Sequence, residues 1–173
     1  MEIKEMTIKI IREHLPAQGT ELSCYTFLAS DALWTGTVES QHPFVVVAED
    51  DWSDGSGVII IVMEDGPVYI ASLTPEDAAN PDYRSALDLK QESLLDYCAA
   101  DFPKFMEIMK LFMEGMETIS HLRFASDDDE YEEECAKIEQ LLRQQTAKID
   151  PTAIEDTESL WSTLLEELGA GML

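Results

Sequence analysis

Three short runs rich in β-branched and apolar residues lie close together in the first half of the chain: Phe44 to Ala48, Val58 to Met63 and Val68 to Leu73. They are separated by stretches containing Asp54-Gly55 and Asp65-Gly66, dipeptides that suit tight hairpin turns, so the pattern predicts an antiparallel meander. Val58 to Met63 is apolar at every position and does not alternate, which marks it as the central strand, covered on both faces. A further short strand is expected over Leu94 to Ala99, and Pro75 and Asn80-Pro81 mark a loop before it. The start of the chain is less regular. Residues 3 to 11 are apolar at 3, 6, 8, 10 and 11, which fits neither period cleanly; a helix continuing to His14 and ended by Pro16 and Gly19 is the expectation. Leu22 to Trp34 is mixed, with Ser30-Asp31 a candidate cap for a short helical turn before Gly36.

From Asp101 the period changes. Asp101 suits an N-cap, Pro103 is tolerated in a first turn, and Phe102, Phe105, Met109, Phe112, Met116 and Ile119 follow at alternating spacings of three and four, one stripe of a long helix. A second helix is expected over about Tyr131 to Lys148, with Cys135, Ile138, Leu141 and Leu142 as its apolar side and Asp150-Pro151 as its stop. A third covers about Thr157 to Leu168, with Leu160, Trp161, Leu164, Leu165 and Leu168 inward and Gly169 at its end. The expected class is α+β: one domain over residues 1–173, with an antiparallel meander of about four to six strands packed against C-terminal helices.

Composition changes the picture in one respect. The 173 residues are 45% hydrophobic, enough for an ordinary core, but 36 Asp and Glu stand against 11 Lys and Arg, a formal net charge of −25. Both halves of the chain are strongly acidic, and no basic patch is gathered to neutralise phosphates, so nucleic acid and anionic membrane surfaces are excluded as partners. Cys24, Cys98 and Cys135 are odd in number, far apart and away from histidine, which suggests neither a disulfide framework nor a zinc site and fits a reducing cytoplasm. The N-terminus lacks a signal-peptide pattern and no run is long and apolar enough to span a bilayer; a soluble, unprocessed chain is expected.

No phosphate-binding loop, dinucleotide fingerprint, nucleophile elbow or HExxH motif is present, so no catalytic residue, metal or cofactor is expected. His14, His42 and His121 fall in different elements, as ordinary surface or boundary residues do. The stretch from Asp50 to Gly55 superficially resembles a calcium loop, but Trp52 and Ile61 stand where oxygen ligands are required and strands flank it. It reads either as an acidic hairpin tip or as a recognition surface in which Trp52 is an anchor among Asp50, Asp51 and Asp54. Asp127, Asp128, Asp129, Glu130, Glu132, Glu133 and Glu134 crowd the segment before the second helix. There they favour a helix N-terminus, or serve as an electrostatic lure for a basic partner. Met106, Met109, Met113 and Met116 fit a core helix better than an adaptable binding face.

Two segments resemble the SUKH superfamily, the fold of many bacterial immunity proteins that neutralise polymorphic toxins. Ala99-Ala100-Asp101-Phe102-Pro103-Lys104-Phe105-Met106 is similar to that family's strand-to-helix junction. Ile149-Asp150-Pro151-Thr152-Ala153-Ile154-Glu155-Asp156, with Leu160-Trp161 and Leu164-Leu165-Glu166-Glu167-Leu168 after it, is similar to the C-terminal tail of one immunity branch. The resemblance covers roughly residues 44 to 168. It implies binding and inhibition of a cognate toxin, often a nuclease or nucleotide-modifying domain, without catalysis by the immunity protein. The expected partner is then a protein toxin with a basic surface, met through Asp50, Asp51, Trp52 and Asp54 and through the acids of 127–134. The alternative is an acidic cytoplasmic secretion chaperone binding an effector segment as a dimer. Monomer and homodimer stay open, because a stripe buried in a core and one buried between subunits look alike in sequence.

Overall fold

A computed structural model describes residues 2–50 and 57–173. Its class is α+β, and the chain divides into two compact units, Met1–Tyr97 with Asp101–Pro103, and Cys98–Ala100 with Lys104–Leu173.

The first unit opens with helix α1, Glu5–His14, as the sequence suggests. The strands that follow are β1 (Glu21–Leu22), β2 (Tyr25–Phe27), β3 (Trp34–Val38), β4 (His42–Asp50), β5 (Gly57–Met63) and β6 (Val68–Leu73). Two short helices, α2 (Pro75–Ala79) and α3 (Tyr83–Ala86), replace the loop expected after them, α2 being closed by a capping box between Thr74 and Asp77. Strands β7 (Asp88–Leu89) and β8 (Leu94–Ala99) complete the sheet.

The sheet runs β1-β2-β4-β5-β6-β8, with β3 alongside β4 and a parallel pairing of β3 with β7. β4 is long enough to serve two neighbours along one side: its start pairs with β3 and its end with β2. A register shift between Val46 and Ala48 separates these two stretches. The three predicted runs are all strands, and β5 is central, with Ile59, Ile60 and Ile61 at 0% exposure. Phe44, Val46, Ile59, Ile61 and Leu73 join one cluster on one face, while Val45, Val47, Ile60 and Val62 alternate with them and are equally buried. That is why the run at 58–63 lacks polar residues: each buried Ile or Val contributes roughly 1.5–3 kcal/mol. At the β5–β6 turn Gly66 takes φ 126°, a conformation open to glycine, while the Asp54-Gly55 turn lies outside the described residues.

Ser30-Asp31 does not cap a helix. Those residues form a turn between β2 and β3, and Gly36 lies within β3. Pairing with β4 overrides weak local preferences here, the usual reason that short strands are missed. The β3–β4 connection is also unexpected, because Glu39 and Ser40 hold φ values of 51° and 57° without glycine. Such backbone costs about 1 kcal/mol or more per residue and must be held by its surroundings. Asp88 on β7 holds it: its carboxylate accepts from Ser40 N, Ser40 Oγ and Thr37 Oγ1, each at 2.7 Å.

The second unit is built from helix α4 (Phe102–Ala125, most of it in this unit), α5 (Asp128–Ile149) and α6 (Leu160–Gly169). On α4, Phe102, Phe105, Met109, Phe112 and Ile119 are buried as the spacing predicts, Met116 of the same stripe is only half-buried, and Met113 at its side is 39% exposed. Gly115 lets α5 approach: a Cβ there would lie 2.6 Å from Leu142. On α5 the buried positions are Cys135, Leu142 and Thr146, with Ile138 half-buried, while Leu141 is 53% exposed. At 3.6 residues per turn Leu142 returns to the azimuth of Cys135 and Leu141 falls about 120° away, so its expected inward placement is corrected. Trp161 on α6 is fully buried, with Phe105 and Phe112 rings 5.1 and 6.1 Å from it. Helix α6 begins three residues later than expected because Ser159, accepting from Ser162 N, is its N-cap.

Asp150 ends α5, as Asp150-Pro151 predicts, and is itself 1% exposed. One carboxylate oxygen accepts from Ala100 N at 2.7 Å; the other caps the following turn by accepting from Thr152 N at 3.1 Å and from the Thr152 hydroxyl.

Candidate partner-binding surface

The acidic run is not a loop between helices. Asp127 has extended backbone and its side chain accepts from Glu130 N at 2.9 Å, which makes it the N-cap of α5 and moves the helix start to Asp128, three residues before the position expected. Asp128, Asp129 and Glu130 fill the first turn, where the helix dipole favours negative charge. All of these and Glu132 and Glu133 are exposed. Tyr131 faces the other way, half-buried, with its hydroxyl 3.1 Å from Arg123 and its ring 5.5 Å beneath that guanidinium. Lys137, 3.5 Å from Glu133 and 3.1 Å from Glu134, is the cation paired with this run; hydrogen bonding to Glu134 and the charges of both glutamates raise its pKa above the ordinary value. Capping therefore accounts for Asp127 and the dipole for the first turn. The remaining carboxylates exceed what starting a helix requires.

Of the other predicted site, Asp50 is described and Asp51, Trp52 and Asp54 lie outside the described residues. Asp50 closes β4 opposite Tyr25 and is half-buried. Beside it, partial burial and then the Asp50 carboxylate push the Cys24 thiol above its ordinary value.

Next to Asp50 the sheet carries a cluster that sequence reasoning missed. Glu49 accepts from Trp34 Nε1 at 2.7 Å with one oxygen and from Arg84 at 3.1 Å with the other. The guanidinium lies 5.8 Å from the Trp34 ring and 5.7 Å from that of Tyr83, and its Nε donates to the Tyr83 hydroxyl at 3.0 Å. The Tyr83 hydroxyl and the Glu49 charge hold the Arg84 pKa above its already high value. Trp34 is buried in the sheet's core cluster and Tyr83 packs against it, so the exposed part of this cluster is the Arg84 side chain, held in place by Glu49 and Tyr83. One signal pointed to it: Arg84 is the only Lys or Arg between Arg12 and Lys90.

The histidines are not gathered. His14 lies against the Ile10 carbonyl at 2.8 Å, His42 starts β4 and His121 lies on α4. Among the described residues no group of three His, Cys, Asp or Glu is placed to hold a metal ion, and no helix is long and apolar enough to cross a membrane. No family model, no curated protein and no solved structure matches the chain.

Proposed function

We propose that the chain is a non-catalytic immunity protein of the SUKH kind, which binds a protein toxin with a basic surface and blocks its active cleft in the cytoplasm. The observation that carries this reading is the exposed acidic start of α5, whose carboxylates outnumber their structural uses. A nuclease holds phosphates in a positively charged cleft, so a folded acidic surface competes for it by charge and shape together. The hydrogen bond from Ala100 N to Asp150 joins the two segments that carry the resemblance. Asp50, together with Asp51, Trp52 and Asp54, is the second proposed contact, and Glu49 next to Asp50 belongs to the Trp34–Arg84 cluster.

The test begins with the toxin captured from native lysate by tagged protein and eluted with salt. Association of that toxin with the variant Asp128→Asn, Asp129→Asn, Glu132→Gln, Glu133→Gln is then followed by stopped flow. The expected result is a rate lower by roughly tenfold or more at low salt, converging on wild type as salt rises. Unchanged rates together with unchanged protection of cells would remove the acidic surface from the reading.

A further inference from the structure

The second unit brings exposed apolar side chains from two distant segments to the place where α4 ends and α5 begins. Phe124, in the last turn of α4, is 89% exposed; after α6, Met172 is 72% and Leu173 38% exposed. Arg123 joins the two segments, which lie 48 to 50 residues apart. Its Nη2 amino group is shared among the Gly171 and Leu173 carbonyls, each at 3.2 Å, and the Tyr131 hydroxyl at 3.1 Å. The turn that Arg123 grips is closed in its own right. Gly171 N donates to the Leu168 carbonyl at 3.0 Å and Met172 N to that of Glu167 at 2.9 Å, the paired bonds of a glycine-ended helix. Gly171 takes φ 69°, and a Cβ there would lie 2.8 Å from the Tyr131 ring, so glycine lets this tail close on α5.

Charge decides what these side chains can meet. Asp127 to Glu130 follow Phe124 directly and Glu166 stands in the last turn of α6, all of them exposed. Between Glu117 and Glu134, and from Glu158 to Leu173, Arg123 is the single Lys or Arg, and it is engaged by the tail. A second copy would set carboxylates against carboxylates, so the complement is a protein surface whose apolar pocket is bordered by Lys and Arg. We propose that Phe124 and Met172 are the apolar anchors of the surface that binds the basic partner, and that Arg123 is the positioning residue that keeps the end of α4, the start of α5 and the tail in one arrangement. This rests on the partner-binding reading above and adds the source of the complex's lifetime: the carboxylates speed approach, and the anchors slow departure.

The test uses a defined probe, a synthetic peptide that interleaves Lys and Arg with Leu and Trp, beside a control peptide in which Ser replaces the apolar residues. Binding to the full chain is followed by amide shifts in NMR spectra at about 0.15 M salt. The apolar peptide should bind roughly fivefold or more tightly than the control, with shifts centred on Phe124, Tyr131 and Met172. The variant Phe124→Ser, Met172→Ser, changed only at exposed positions, should lose most of that preference and keep its affinity for the control. Arg123→Ala should lose it too, and Arg123→Lys should recover part of it, because an ammonium still reaches a tail carbonyl; general loosening of the fold would weaken both peptides alike. Equal affinity for the two peptides, shifts centred on other acidic segments, or an unchanged preference in Phe124→Ser, Met172→Ser or in Arg123→Ala overturns the proposal. No toxin is needed, so these outcomes are separate from the capture and association experiments that decide the immunity reading.

Discussion

Two carboxylates stand apart from the many that merely face water. Asp88 accepts three hydrogen bonds, and the hydroxyl of Ser40, then that of Thr37, then the Ser40 amide hold its carboxyl below the ordinary value. A folded-state value below the unfolded one gives stability that is fully present above the unfolded value of about 4 and is lost as pH falls through the lower folded value. Asp88→Asn should therefore remove part of the acid sensitivity: urea midpoints of variant and wild type, measured from pH 6 to pH 2.5, should differ at the upper end and converge at the lower. Asp150 is the more demanding case because it is buried. Asp150→Ala leaves Ala100 N and Thr152 N without their acceptor and should cost about 2–4 kcal/mol in denaturant unfolding. Asp150→Asn, which keeps one acceptor oxygen, should cost less.

Helices in the second unit depend on caps and on single large side chains. Asp127→Ala should lower stability by about 1 kcal/mol through loss of the α5 cap, independently of any binding role. Trp161→Ala should cost about 3–5 kcal/mol, since α6 is seated by that ring against Phe105 and Phe112. Trp161→Phe should cost much less, because among the described residues the buried indole N–H has no acceptor and its removal leaves nothing unpaired. At this scale the sequence was legible wherever a hydrophobic period ran long enough: β4 to β6, β8 and the α4 stripe follow directly from it. The start of α5 was obscured because its first turn is made of acids, whose preference for a helix N-terminus is a matter of charge and carries no apolar period. Strands β1 to β3 were obscured because they are short and are stabilised by pairing, β1 to β2 and both β2 and β3 to β4, which local pattern does not record.

For the molecule as a whole, charge dominates. With 36 acids against 11 bases, self-repulsion opposes compaction at low ionic strength, so the melting temperature should rise by several degrees between 10 mM and 0.5 M salt, measured by calorimetry at pH 7. The acidic excess was plain in the sequence. The Trp34–Glu49–Arg84 cluster was not, because its members are distant in sequence and meet only when α3 lies on β3 and Arg84 reaches Glu49 of β4. The Glu39-Ser40 turn shows the same dependence in time. A glycine-containing hairpin can close as soon as its two strands exist, but this one is held by Asp88 and by Gln91 N donating to Glu39, some fifty residues further on. During synthesis β3 and β4 therefore lack their fastening until residues 88 to 91 have left the ribosome. Arrested nascent chains that expose only the first 80 residues should be cut readily by protease at the turn, and chains exposing 100 should be protected.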